Sequence, residues 1–168
     1  ADSRLGSIRK MGDKYHPWSP PSTRKAWVAE ARRVRQQLKV ATGLWPAWPR
    51  GPVQAVIHGR VDRGDYTIEK VYFSSIPGHY VTGNLYRPKR ATGRLPGILC
   101  PHGHGPNGRF YDAGAEAAAK QVKVGAEKFE SGARFPLQAR MVHLARMGCV
   151  VFHYDMVGYA DSTALPHR

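Results

Sequence analysis

A glycine-rich turn that carries two histidines has the sharpest chemical signal in the chain. His102-Gly103-His104-Gly105 follows the apolar run Gly97-Ile98-Leu99-Cys100 and Pro101. Acyl transfer passes through a tetrahedral oxyanion, which backbone N–H groups already aimed at it stabilise by roughly 3 kcal/mol per donor. Glycine lets a backbone approach closely and take positive φ, and the carboxyl end of a strand is where open α/β sheets bind ligands. The pattern therefore makes His104 or Gly105 the N–H donor, with His102 and Gly103 supporting the turn. His102 and His104 also fit a His-x-His metal pair, as in metal-dependent hydrolases. Such a site needs further ligands, and Pro106, Asn107 and Gly108 stand where a two-metal hydrolase has Asp and His. No metal and no cofactor is assigned on this pattern. Arg109, just beyond the turn, is a candidate for contacting a substrate oxygen, although an exposed arginine is the default.

A second cluster follows the apolar run Cys149-Val150-Val151-Phe152-His153-Tyr154, where the chain continues as Asp155-Met156-Val157-Gly158-Tyr159-Ala160-Asp161-Ser162. A nucleophilic serine needs a strained turn and a base within hydrogen-bond reach. Gly-Tyr-Ala-Asp-Ser lacks the spacing of a nucleophile elbow, and His167 is almost terminal, so Ser162, Asp155 and His167 do not read as a triad. No Gly-x-Ser-x-Gly occurs in the 168 residues. His153, inside an apolar strand, reads as a satisfied core histidine.

Several elements must hold these two loops. The polar, basic segment 1–21, with Pro17, Pro20 and Pro21, reads as an arm. Ser22 or Thr23 then caps a helix in which Trp27, Ala31, Val34 and Leu38 share one face while Arg32, Arg33 and Arg35 point away. Gly43 stops it, and the helix is expected to pack on a body formed later in the chain. Trp45-Pro46-Ala47-Trp48-Pro49 is a stiff aromatic connector, read as a strap over an apolar groove ahead of a sugar-stacking platform. Runs rich in Val, Ile, Tyr and Thr at 53–57, 67–74 and 79–87, broken by Arg63-Gly64-Asp65 and Ile76-Pro77-Gly78, predict an antiparallel meander that Pro88 ends. The run 97–100 then predicts a buried strand parallel to the one at 149–154. Between them, Ala113 to Val124 predicts a short helix in a long loop, of the kind that tends to be functional or mobile. Pro136 opens a further helix with an apolar face of Leu137, Met141, Leu144 and Ala145, closed by Gly148.

Composition narrows the class. At 42% hydrophobic residues the chain is of ordinary globular make-up, and no apolar run approaches the ~20 residues of a bilayer span. Ala1 in place of Met would suit a chain relieved of a leader, and an arbitrary boundary of the sequence explains it equally well, so export to a periplasmic or extracellular space stands as one alternative and the compartment stays open. Cys100 and Cys149 fall at opposite ends of adjacent strands, beyond the ~7 Å that a disulfide requires, and are expected as buried free thiols. The net charge of +14 raises the question of a polyanion. The cations are spread along the chain, the densest cluster (Arg32, Arg33, Arg35 and Lys39) sits on one helix, and no nucleic-acid motif accompanies it. A nucleic-acid partner is accordingly disfavoured against a solvated or subunit-facing basic surface.

Pro96 to Gly105, the strand ending in Asp155-x-x-Gly158-x-x-x-Ser162, and the hairpin Val71 to Pro88 together resemble the α/β-hydrolase superfamily. Within it they look like acetyl xylan esterase-like and dienelactone-hydrolase-like enzymes, over roughly residues 22 to 165. The resemblance implies the amino-terminal half of that fold, an antiparallel hairpin leading into parallel strands with a crossover helix, here preceded by the basic helical arm. It divides the chain into an arm at 1–50 and an incomplete hydrolase domain at 51–168. It implies that Asp155, Gly158, Asp161 and Ser162 brace the site loop, and that activity on a small ester or an acetylated carbohydrate needs no cofactor. The family's elbow, acid and histidine are missing, so the resemblance implies a carboxyl-terminal half, on the same or a second polypeptide, that pairs with the open strand edge. The chain alone is expected to be inactive. A basic, non-enzymatic binding or assembly module, and metal-dependent hydrolysis through His102 and His104, stand as alternatives.

Overall fold

In the computed structural model, which describes residues 19–47, 49 and 51–166, the chain divides into two units, Ala1–Arg50 and Gly51–Arg168. Most of the expected arm, the second tryptophan of the strap (Trp48) and His167 lie outside the described residues. In the first unit Thr23 caps helix α1 (Arg24–Ala41), its hydroxyl accepting the Ala26 N–H at 3.2 Å. Gly43, at φ +71, allows the turn that ends the helix. Trp27 and Leu38 on the apolar face are both more than half exposed, and no residue of α1 is buried.

The second unit is a five-stranded sheet with helices in the connection between its last two strands. Strand β1 (Val56–Asp62) pairs antiparallel with β2 (Tyr66–Ile76), and β2 pairs antiparallel with β3 (His79–Pro88). The chain then forms β4 (Gly97–Pro101), α2 (Ala115–Lys123), α3 (Glu130–Arg134), α4 (Pro136–Arg146) and β5 (Val150–Tyr154). The order across the sheet is β1-β2-β3-β5-β4, with β5 antiparallel to β3 and parallel to β4. Because β4 and β5 are parallel neighbours, with Pro101 opposite Tyr154, the loops that follow them leave the same edge of the sheet.

The core lies between the sheet and α4: Tyr86, Met141, Ala145 and Val151 are fully buried, Tyr66 is nearly so, and Ile98, Cys100 and Leu144 pack against them. Close approach of β3 to β5 depends on Gly83. A Cβ there would stand 2.6 Å from the His153 carbonyl oxygen and 2.8 Å from Tyr154 Cα.

Three expectations change. The first strand runs from Val56 to Asp62 rather than ending at Ile57, because Gly59 at φ +61 is absorbed as a bulge between His58 and Val61 instead of turning the chain. A short α3 occupies residues expected to be loop. The strand at 97–101 is not buried. It lies at the sheet edge, where Ile98 and Cys100 face the core and Leu99, on the opposite face, is 72% exposed. Cys100 and Cys149 are free thiols, as expected, but part-buried rather than buried.

Candidate functional site

Gly97 to Pro101 delivers the glycine turn to the sheet edge, and β5 delivers Asp155 beside it. His102 is buried and braces the turn with both ring nitrogens. Nδ1 bonds the Gly103 carbonyl at 2.8 Å, and Nε2 accepts the Met156 N–H at 3.1 Å from the neighbouring loop. That pattern requires the proton on Nδ1, with Nε2 as acceptor. No nitrogen of His102 remains for a metal, and among the described residues no group of three or more His, Cys, Asp or Glu side chains could hold one. The metal reading of His102 and His104 therefore has no geometric support.

His104 is exposed, and its Nδ1 lies 3.0 Å from the Tyr159 hydroxyl. The Tyr159 ring meets His102 edge-on at 4.8 Å and His104 at 6.0 Å, so one tyrosine touches both histidines of the turn. The Gly105 N–H donates to the Gly103 carbonyl at 3.0 Å, which tightens the turn. Gly108, at φ +52, closes the cluster. A Cβ there would stand 3.0 Å from His102 Nε2 and 3.1 Å from Tyr159 Cβ, so no larger residue fits without displacing one of them.

Beside the turn lies an ion network, buried at Arg109 and Asp155 and exposed at Asp161. Asp155 Oδ2 accepts from the Thr82 hydroxyl at 2.6 Å, from the Arg109 guanidinium, and from the Asp161 N–H at 3.3 Å. Arg109 also reaches Asp161 Oδ2 at 2.6 Å and lies over the Phe110 ring, 4.2 Å from its centroid. It is 2% exposed, so the default reading of an exposed arginine does not hold. Short backbone bonds fold the loop after β5 on itself. Ser162 N–H donates to the Tyr159 carbonyl at 2.8 Å, and Gly158 N–H, in a residue at φ +82, donates to the Ser162 carbonyl at 2.9 Å.

His153 corrects another expectation. It is fully buried on β5, but neither ring nitrogen has a hydrogen bond to protein. Burial first, and then the electrostatic influence of His102, Arg109 and Arg140, lowers its pKa from 6.5 to about 4.

The structure thus brings His102, Gly103, His104, Gly105, Arg109, Asp155, Gly158, Asp161 and Ser162 to one end of the sheet. The sequence reading did not single out Thr82, Gly108 or Tyr159. Thr82 lies on β3, 73 positions before the aspartate it bonds; no local pattern links the two. Gly108 had a signal, a glycine directly after an asparagine, both of them at positive φ. Chemically, the arrangement offers a backbone turn braced by His102, beside an ion network in which one guanidinium faces two carboxylates.

No protein-family model matches the chain, and no curated protein matches it significantly. Among solved structures, one described as methylesterase BT1017 is similar at 26% identity with a TM-score of 0.55, over 85% of this chain and 27% of that one. The chain spans about a quarter of the length of that structure. The mixed sheet and helices of this chain's second unit are consistent with an esterase-like α/β fold.

Proposed function

We propose that this chain supplies the oxyanion side of a carboxylic-ester hydrolase, with the serine nucleophile, acid and base carried on polypeptide outside residues 1–168. One observation carries this reading: the likeness to a methylesterase extends over 85% of this chain, in which a glycine turn follows the carboxyl end of β4. The strand order, with β5 between β3 and β4, supports it. In the complete site a serine oxygen would attack the ester carbonyl, whose oxygen takes the negative charge and receives N–H bonds from His104 or Gly105. The alcohol leaves, and water then hydrolyses the acyl-enzyme, with no cofactor. Gly105 would exchange its bond to the Gly103 carbonyl for one to the oxyanion. That i to i−2 bond is bent and therefore weak, so the exchange costs little. Asp155, Gly158, Asp161 and Ser162 hold the adjacent loop, and small acetyl esters, including those on carbohydrate, are the substrate class.

β4 pairs only with β5 among the described strands, so its other backbone edge is open. The carboxyl-terminal remainder of the hydrolase is proposed to add its strand there. The test begins with intact-mass spectrometry of natively purified material and sequencing of any polypeptide beyond the 18.7 kDa chain. A species carrying Gly-x-Ser-x-Gly is expected, and with it hydrolysis of acetyl or methyl esters. A proline at position 104 or 105 removes one N–H and should lower kcat about 100-fold with KM little changed. A folded species of 18.7 kDa alone, without esterase activity, would defeat the proposal.

The net charge of +14 favours one second reading, a basic binding or assembly module. Affinity for nucleic acid that falls steeply with salt would support it, and no binding at low salt would remove it.

A further inference from the structure

We infer that Arg109 is the positioning residue of the candidate site, a buried clamp that ties the loop after β4 to the loop after β5 and so fixes the His102 to Gly105 turn. The inference rests on the reading of that turn as the oxyanion side of an esterase. A single guanidinium joins the segments that form the site. One of its nitrogens bonds the buried Asp155, which in turn holds Thr82 of β3 at 2.6 Å. The other bonds Asp161 at 2.6 Å, six residues further along the loop. Phe110 stacks against its face with the ring centroid 4.2 Å away.

The clamp reaches the turn through its neighbour. Gly108, next to Arg109 in the chain, packs so closely on His102 and Tyr159 that a Cβ would meet them at 3.0 and 3.1 Å, so the backbone there lies against both. Tyr159 in turn contacts His104 at 3.0 Å, and the Met156 N–H meets His102 Nε2 at 3.1 Å. The contacts of Tyr159 and Met156 cross between the two loops. Arg109 touches none of the core residues Tyr66, Met141, Ala145 or Val151 through a hydrogen bond, so its bonds serve the loops. A planar fork is needed to span two carboxylates at once, and a lysine, as a single point charge, cannot reproduce it. Nor is Arg109 placed to touch substrate, since it is 2% exposed and already holds two aspartates.

The test uses the 168-residue chain and two variants, Arg109→Lys and Asp161→Asn. Asp161 is 62% exposed, so its variant opens the outer leg of the clamp without leaving a charge buried and alone. Amide hydrogen exchange and the ¹⁵N shifts of the His102 ring are read in each. Expected in Asp161→Asn is exchange at Met156 faster by about tenfold, His102 shifts moving toward mixed tautomers, and protection at Val151 in the core unchanged. Arg109→Lys should show the same pattern more strongly; if it does not fold, Asp161→Asn decides. Unchanged Met156 exchange and an unchanged His102 tautomer would overturn the inference. So would a loss of protection shared equally by Val151 and the loops, which would make Arg109 a brace of the whole sheet. These readouts need no catalysis, so the absence of esterase activity would defeat the functional reading while leaving the clamp standing.

Discussion

His153 is the side chain on which burial acts most strongly. Its pKa is lowered to about 4, against 6.5 for an ordinary histidine, so the native ring refuses a proton that the unfolded chain accepts. Stability should therefore fall as pH drops from about 6.5 to about 4 and level off below, where both states are protonated. The loss should be about 2 kcal/mol once residual screening is allowed for. Melting temperatures across that range check it, and His153→Leu should remove this share of the slope. If wild type and variant fall in parallel, His153 is not the group responsible. At this scale the sequence named the right histidine for the core, but not its lack of partners. Whether a buried ring finds an acceptor depends on what the neighbouring strands and α4 bring to it.

Among the elements, the pairing of β3 with β5 is the tightest. Gly83→Ala would force a methyl group to within 2.6 Å of the His153 carbonyl oxygen and 2.8 Å of Phe152 Cε2, so the strands must separate. Destabilisation of about 1–3 kcal/mol is expected in urea titration. Gly97→Ala, on the edge strand β4, meets nothing within 4 Å and should stay within about 0.5 kcal/mol of wild type. Equal effects at the two positions would contradict this account of the sheet. The hairpin of β2 and β3 was legible because apolar alternation and Pro77-Gly78 are both local signals. The full extent of β1 was hidden because His58-Gly59-Arg60 reads as a break, and only pairing with β2 turns Gly59 into a bulge. α3 is one and a half turns long, too short to show a period.

For the molecule as a whole, charge and the open edge oppose each other. A net charge of +14 keeps copies apart at low salt, while β4 presents unpaired backbone and Leu99 at 72% exposure. Screening shortens the reach of the repulsion to roughly 3 Å at 1 M salt. Self-association, followed by light scattering, should therefore grow with ionic strength. Leu99→Lys should suppress it, since a lysine on an edge strand discourages strand pairing. Association that weakens with salt, or that the variant leaves unchanged, would place the contact elsewhere.

The sequence by itself determined the two loops that carry the candidate chemistry, the strands that end in them, the caps of α1 and the glycine that closes α4. Each is written in local spacing: a turn residue next to an apolar run, or a period of two or between three and four. Only the tertiary structure decided that Arg109 is buried, that Thr82 holds Asp155, that Tyr159 touches both histidines, and that the strand before the turn lies at an edge. Those facts depend on residues far apart in the chain meeting across β3, β5 and the two loops, and no local spacing encodes which partners a folded sheet brings together.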